Sequence, residues 1–351
     1  MTSLERVKTV LQGEIPDRVP VSLLSFQNAA RHGGVSIAEY CVDGQRMADA
    51  QIGYWEEFRH DLIDIENGIA AMAEAVGCTV EYADDAAPWI VKPAIASLDE
   101  VDALEEIDLR ATPGIRALVE ATGKVARTLG EEVCIRGEAD QGPFSLACEI
   151  VGTETFLTSL MDGEHAEEIS TLLEYANRQI EKLIRAQIAA GSHYTMVGDS
   201  FAGPDVCSPG LYRSYALPFE KQLLTRLNNE GLGVGLHMCG DATPIIEDMV
   251  DTGALYFELD YKIDREPVLQ ATRGKTAILG TIDPSGVMCR GSTEDVMRAA
   301  REDIDFFAPH SRYILSPGCT LPYTTPFENV RALVEAAHEY GRYNNNFGLP
   351  G

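Results

Sequence analysis

Short runs of apolar and β-branched residues recur along the chain, and most are followed by a longer stretch whose apolar positions repeat every three to four residues. The short runs predict strands at 19–24, 62–66, 133–137, 193–198, 232–238, 255–260, 276–282 and 312–317. The longer stretches predict helices, most clearly over 143–160, 209–229, 243–252, 292–307 and 326–340. A further one, 164–190, is long and amphipathic, with Glu, Lys and Arg on its outer positions. Strands that alternate with helices pair in parallel through right-handed crossovers. Eight strands are most economically arranged as a closed (β/α)8 TIM barrel, with a doubly wound open sheet as the alternative. Residues 78–93 break the repeat and read as a hairpin insert, and the barrel carries an N-terminal extension. Residues 94–130 read as a linker followed by a helix, for which Ser97-Leu98-Asp99-Glu100 is a capping-type start. Residues 344–351 are expected to fray. One barrel spanning 1–351 accounts for this pattern, since α/β barrels exceed the usual domain size.

Composition narrows the function rather than the fold. The 351 residues are 45% hydrophobic, and 28 basic against 55 acidic residues give a formal charge of −27. A nucleic-acid binder or an anionic-membrane binder needs a basic face, and this charge balance supplies none, so neither partner is expected. Eight cysteines are dispersed without a framework of close spacings and read as reduced thiols. The opening residues Met1 to Val7 have no apolar signal core, and no stretch approaches a membrane-spanning run. A cytoplasmic location is expected.

In a barrel, catalysis occupies the C-terminal ends of the strands. Those ends carry Glu66 and Asn67, Glu138 and Gln141, Asp199, His237 and Cys239, Glu258 and Asp260, Asp283 and Cys319. His237 and Cys239 stand two residues apart in His237-Met238-Cys239-Gly240, and Cys319 closes Ser316-Pro317-Gly318-Cys319. An imidazole and two thiolates suit Zn2+, and a catalytic zinc site keeps a position open for substrate. The competing interpretation is a buried histidine and two packed cysteines. The polar turn after an apolar strand, together with a second cysteine at another strand end, favours the metal. Cys41, Cys78, Cys134, Cys148, Cys207 and Cys289 read as inert thiols, and His193 and His310 as structural. Glu258 is either a polar strand-end residue or a fourth zinc ligand. Glu258, Asp260 and Asp199 are the candidate catalytic carboxylates. Gly231-Leu232-Gly233-Val234-Gly235 precedes or enters a strand instead of forming a strand-to-helix turn, so it is not a dinucleotide fingerprint.

With these residues in place, the chain resembles the uroporphyrinogen decarboxylase superfamily, and within it the zinc-dependent, corrinoid-linked methyltransferase branch. The likeness rests on Arg6 to Pro20, His237-Met238-Cys239-Gly240, Leu315 to Cys319, and Thr325-Pro326-Phe327-Glu328-Asn329. It implies a (β/α)8 barrel and zinc held by His237, Cys239 and Cys319. It also implies methyl exchange between a corrinoid (cobalamin) and a small-molecule methyl donor or acceptor, such as a thiol or a methyl ether. No D-x-H-x-x-G corrinoid-binding motif occurs in the chain. The corrinoid would then be brought by a separate corrinoid protein or arrive free. The decarboxylases themselves carry Arg-Gln-Ala-Gly-Arg near the N-terminus, where this chain reads Gln27-Asn28-Ala29-Ala30-Arg31 and lacks the first arginine. Decarboxylation is thus the weaker enzymatic expectation, and a non-catalytic, zinc-stabilised binding module is the remaining alternative.

Overall fold

A computed structural model describes residues 1–343. Seven parallel strands form the main sheet: β1 (Leu62–Ile65), β4 (Cys134–Gln141), β5 (Tyr194–Gly198), β6 (Val234–Met238), β7 (Tyr256–Leu259), β8 (Ala277–Ile282) and β9 (Arg312–Pro317), hydrogen-bonded in that order. Between β1 and β4 lies an antiparallel hairpin, β2 (Thr79–Glu81) with β3 (Trp89–Lys92), where the hairpin insert is expected. The gap between β9 and β1 is bridged by Val21, which pairs with Leu315, and Ser22, which pairs with Leu62. The architecture is therefore a (β/α)8 barrel whose first strand is reduced to two residues.

The run 19–24 predicts a full strand, and local chemistry explains why so little of one forms. Pro20 has no N–H to donate, and Leu24 turns to φ 46°, which ends the extended conformation. The other long strand predictions hold to within a few residues. The helix expected over 143–160 is two helices, Pro143–Val151 and Thr153–Asp162, because Gly152 between them adopts φ 89°. Ser97 makes no cap hydrogen bond and opens only a short 3-10 turn, Leu98–Ala103. The real helix of that segment is Pro113–Leu129, started by a proline at its first turn. Helices at Phe26–His32, Ile37–Val42, Gly44–Phe58 and Arg265–Thr272 were not anticipated. The expected fraying of 344–351 falls outside the described residues. Among the described residues, no helix is long and apolar enough to cross a membrane.

The N-terminal extension has a definite task. Its helix Ser3–Leu11 is started by a capping box between Thr2 and Glu5. Val7, Val10 and Leu11 on this helix pack with Leu62, Cys134, Met196, Tyr256, Ala277, Leu279 and Ile314, plugging the end of the barrel where the strands begin. Buried Asp61 fastens the plug: it accepts from Arg6 Nη1 at 2.6 Å, Arg18 Nη1 at 2.6 Å, Ser3 Oγ at 2.8 Å and the Val21 N–H at 2.9 Å. That face is closed by packing, and the opposite strand ends are left for chemistry.

Candidate metal centre and substrate cavity

Strand register brings the central residues together. His237 on β6 is directly paired with Glu258 on β7, and Asp64 on β1 with Arg136 on β4. Cys239 follows β6 by one residue, in a turn where Gly240 takes φ 79° and a side chain would collide with the Asp205 carboxylate. Cys319 follows β9 through Gly318, where an added Cβ would stand 2.9 Å from the backbone of Leu259, Asp260 and Tyr261. Only glycine permits that approach, and it delivers the Cys319 thiol to the β6–β7 edge.

His237 Nε2 lies 2.9 Å from Cys239 Sγ, and Cys239 Sγ lies 3.8 Å from Cys319 Sγ. The three donor atoms all fall within 4.8 Å of one another. The sulfurs are too far apart for a disulfide, whose S–S bond is about 2.05 Å. Two sulfurs held tetrahedrally at about 2.3 Å from one ion would stand about 3.8 Å apart, so the thiol spacing suits zinc. The His237–Cys239 separation is a hydrogen-bond distance that an ion between them would widen. One imidazole and two thiols are the donor types and number of an open zinc site, and both cysteines are partly exposed on the side facing a cavity.

The charge pattern around the cluster is consistent with this. Hydrogen bonding to Cys319 is the largest influence lowering the Cys239 pKa, followed by the neighbouring imidazolium, and both hold it in the thiolate form. Glu258 is buried, and burial alone would raise its pKa. Arg136 and then His237 overcome that effect and keep it ionised. Its Oε1 lies 3.1 Å from His237 Nδ1 and its Oε2 lies 2.7 Å from Arg136 Nη2, while Arg136 Nε also pairs with Asp64. Glu258 thus sits on the ring edge opposite Nε2. In this position it contacts the imidazole on the side away from Cys239, and it is not among the mutually close donor atoms.

The other two candidate carboxylates do not line the cavity. Asp199 accepts from the Phe144 N–H at 3.2 Å and the Ser145 N–H at 2.6 Å, so it caps the helix Pro143–Val151, whose own N-cap is a glycine. Burial pushes its pKa up to about 6. Asp260 accepts from the Gly240 N–H at 2.9 Å and so braces the turn carrying Cys239. Each carboxylate is thus engaged by backbone N–H groups away from the cavity lining. His193 is structural as expected, its Nδ1 accepting from the Ile135 N–H at 3.1 Å.

The cavity holds about 270 Å3 and is lined by His237, Cys239, Cys319, Glu258, Glu66, Glu138, Gln141, Gln27 and Thr320, with Leu24, Phe26, Ile69 and Pro88 among its apolar walls. Glu66 and Glu138 each come one residue after the paired Ile65 and Gly137 and stand together in the cavity lining. Burial, and then repulsion from Glu66, raises the Glu138 pKa, and burial raises that of Glu66 as well. Sequence reasoning named both as strand-end residues without pairing them, and it missed Arg136 and Asp64. The available signal was a charge in the middle of each of two largely apolar strand runs.

The uroporphyrinogen decarboxylase (URO-D) family model matches residues 2–340. The chain is 25% identical over 343 residues to the methylcobamide:CoM methyltransferase of Methanosarcina acetivorans, covering 97% of this chain and 98% of that protein. It is also 25% identical over 293 residues to the uroporphyrinogen decarboxylase of Paraburkholderia phytofirmans, covering 78% and 76%. Among solved structures, a methyltransferase from Methanosarcina mazei superposes with a TM-score of 0.85 at 21% identity, covering 97% of this chain and 99% of that one.

Proposed function

Because this chain belongs to the uroporphyrinogen decarboxylase family, we propose that it is a zinc-dependent methyltransferase of that family, exchanging a methyl group between a corrinoid and a small substrate such as a thiol or a methyl ether. The observation that carries this reading is the convergence of His237, Cys239 and Cys319 at the floor of a small cavity. Zinc bound there would supply a Lewis acid that makes a substrate thiol available as its thiolate near neutral pH. His237, Cys239 and Cys319 are its proposed ligands. Glu258 fixes the imidazole ring, and Asp260 fixes the turn bearing Cys239. The cavity walls exclude bulk water and hold the heteroatom facing the mouth, where the corrinoid is presented. With a thiol acceptor, the S–C bond forms as the Co–C bond breaks, and the bonding electron pair stays on cobalt. The corrinoid comes on a separate protein that docks over the strand ends, or in free form.

Decarboxylation of a tetrapyrrole fits these residues less well. The cavity is slightly below the usual range of ligand pockets, about 300–1,000 Å3. Arg31, the arginine left from the decarboxylase pattern, donates to the Thr325 carbonyl at 2.6 Å and stacks 4.2 Å over the Phe327 ring. It is spent on packing and does not line the cavity. The test is anaerobic demethylation of methylcobalamin against a panel of thiols, and methylation of Co(I) cobalamin by a panel of methyl ethers, with zinc-replete and chelator-stripped protein. Turnover that depends on the metal is expected. Zinc-replete protein inactive in both directions would return the chain to the decarboxylase or binding-module reading.

A further inference from the structure

The substrate's charge can be read from what surrounds the cavity beyond the metal cluster. Three carboxyl groups, Glu66, Glu138 and Glu258, line it, and no lysine or arginine does. The cation beneath them, Arg136, is committed to Asp64 and Glu258. Glu258 in turn is committed to Arg136 and His237. Glu66 and Glu138 are different. Among the described residues no lysine or arginine forms a salt bridge with either, although Arg136 is near enough for its charge to act on both, and Thr320 Oγ1 stands 3.4 Å from Glu66 Oε2. An independent observation points to a ligand at the same place. Gln141 is only 6% exposed, lines the cavity and makes no side-chain hydrogen bond within the described residues. Its amide opens into the cavity with no partner among the described residues, and is free to meet a ligand there.

We propose that this cavity takes a small substrate whose end remote from the reacting heteroatom is a protonated amine, received by Glu66 and Glu138 with Gln141 beside them, and that it disfavours anionic substrates. This deepens the methyltransferase reading and rests on it. An ammonium donates charge-assisted hydrogen bonds to both carboxyls, which are ionised when it binds, so the buried negative charge becomes paired. A sulfonate or carboxylate in the same place would meet two acidic groups, with the nearest cation, Arg136, already paired with Asp64 and Glu258, and this unfavourable contact disfavours it.

The test uses three thioethers of one length that differ in their far group: 2-(methylthio)ethylamine, 2-(methylthio)ethanol and 2-(methylthio)ethanesulfonate. The last is the methylated form of coenzyme M, 2-mercaptoethanesulfonate. Binding to the purified full chain is measured by calorimetry, which requires no turnover. The amine is expected to bind about tenfold tighter than the alcohol, with the sulfonate weaker than both. Glu66→Gln and Glu138→Gln should each reduce the preference for the amine over the alcohol. The wild-type ranking decides the matter even if a variant fails to fold. The proposal is overturned if the sulfonate binds tightest, if the three agree within about threefold, or if none binds. Methylcobalamin demethylation by the corresponding thiols is followed separately. Turnover with the opposite ranking overturns the substrate assignment alone. The expected binding ranking with no methyl transfer in any assay overturns the methyltransferase reading while leaving the recognition of the amine standing.

Discussion

Replacing Glu258 by glutamine tests how the metal cluster is held. The carboxylate faces two donors, His237 Nδ1 at 3.1 Å and Arg136 Nη2 at 2.7 Å, and is 2% exposed. A carboxamide of the same shape has one oxygen. Whichever way it is turned, its NH2 group confronts a donor. The loss is one close charged contact, about 1.5–3 kcal/mol by analogy with hydrogen bonds to charged groups. Orienting partners of metal-bound histidines contribute about 10- to 100-fold in metal affinity, equivalent to about 1.4–2.7 kcal/mol. The two routes agree in size, so Glu258→Gln should bind zinc about 10- to 100-fold more weakly while keeping the three donors. Competition against a chromophoric chelator measures this, with circular dichroism to confirm that the variant is folded. Affinity within about twofold of wild type would refute the orienting role. A loss well beyond about a thousandfold would mark Glu258 as a ligand in its own right.

Gly318→Ala should cost about 1–3 kcal/mol and displace Cys319, because the new methyl meets three backbone atoms of residues 259–261 at 2.9 Å; thermal unfolding and zinc content would reveal both effects. Asp199 is a buried acid whose folded pKa of about 6 exceeds the usual carboxyl value of 3.8. Its stability contribution is full below about 4 and is lost as pH rises through about 6, so Asp199→Asn should remove that slope from unfolding measured across the interval; an unchanged slope would count against the assignment. Arg31→Met should lower stability by about 1–3 kcal/mol through the lost contact with the Thr325 carbonyl, and it should leave the KM for a thiol unchanged. A raised KM would place Arg31 in substrate binding.

Much of this architecture was legible because parallel barrel strands are buried on both faces and read as continuous apolar runs. The soft ligands were legible because His237, Cys239 and Cys319 sit at the ends of such runs. The barrel's first strand was overread because apolar character persists through Pro20 and Leu24, where the backbone cannot extend the ladder. The helices before β1 were missed because their buried faces include Asn28 and Gln51, which disguise the apolar periodicity. The largest gap lies within the site. Which of nine strand-end polar residues enter the cavity depends on register and on which neighbours recruit them, and sequence spacing encodes neither. Asp199 was drawn away by a helix that lacks a capping side chain, and Asp260 by the Gly240 N–H. Glu66 and Glu138, from strands far apart in sequence, became neighbours only through the pairing of β1 with β4.

X-ray absorption at the zinc edge, recorded before and after adding a thiol acceptor, tests the central claim most directly. The account predicts a resting shell containing one nitrogen from His237 and two sulfurs from Cys239 and Cys319, with metal–sulfur distances of about 2.3 Å, and a third sulfur entering when the thiol is added. A closed four-ligand shell that the thiol leaves unchanged would contradict it.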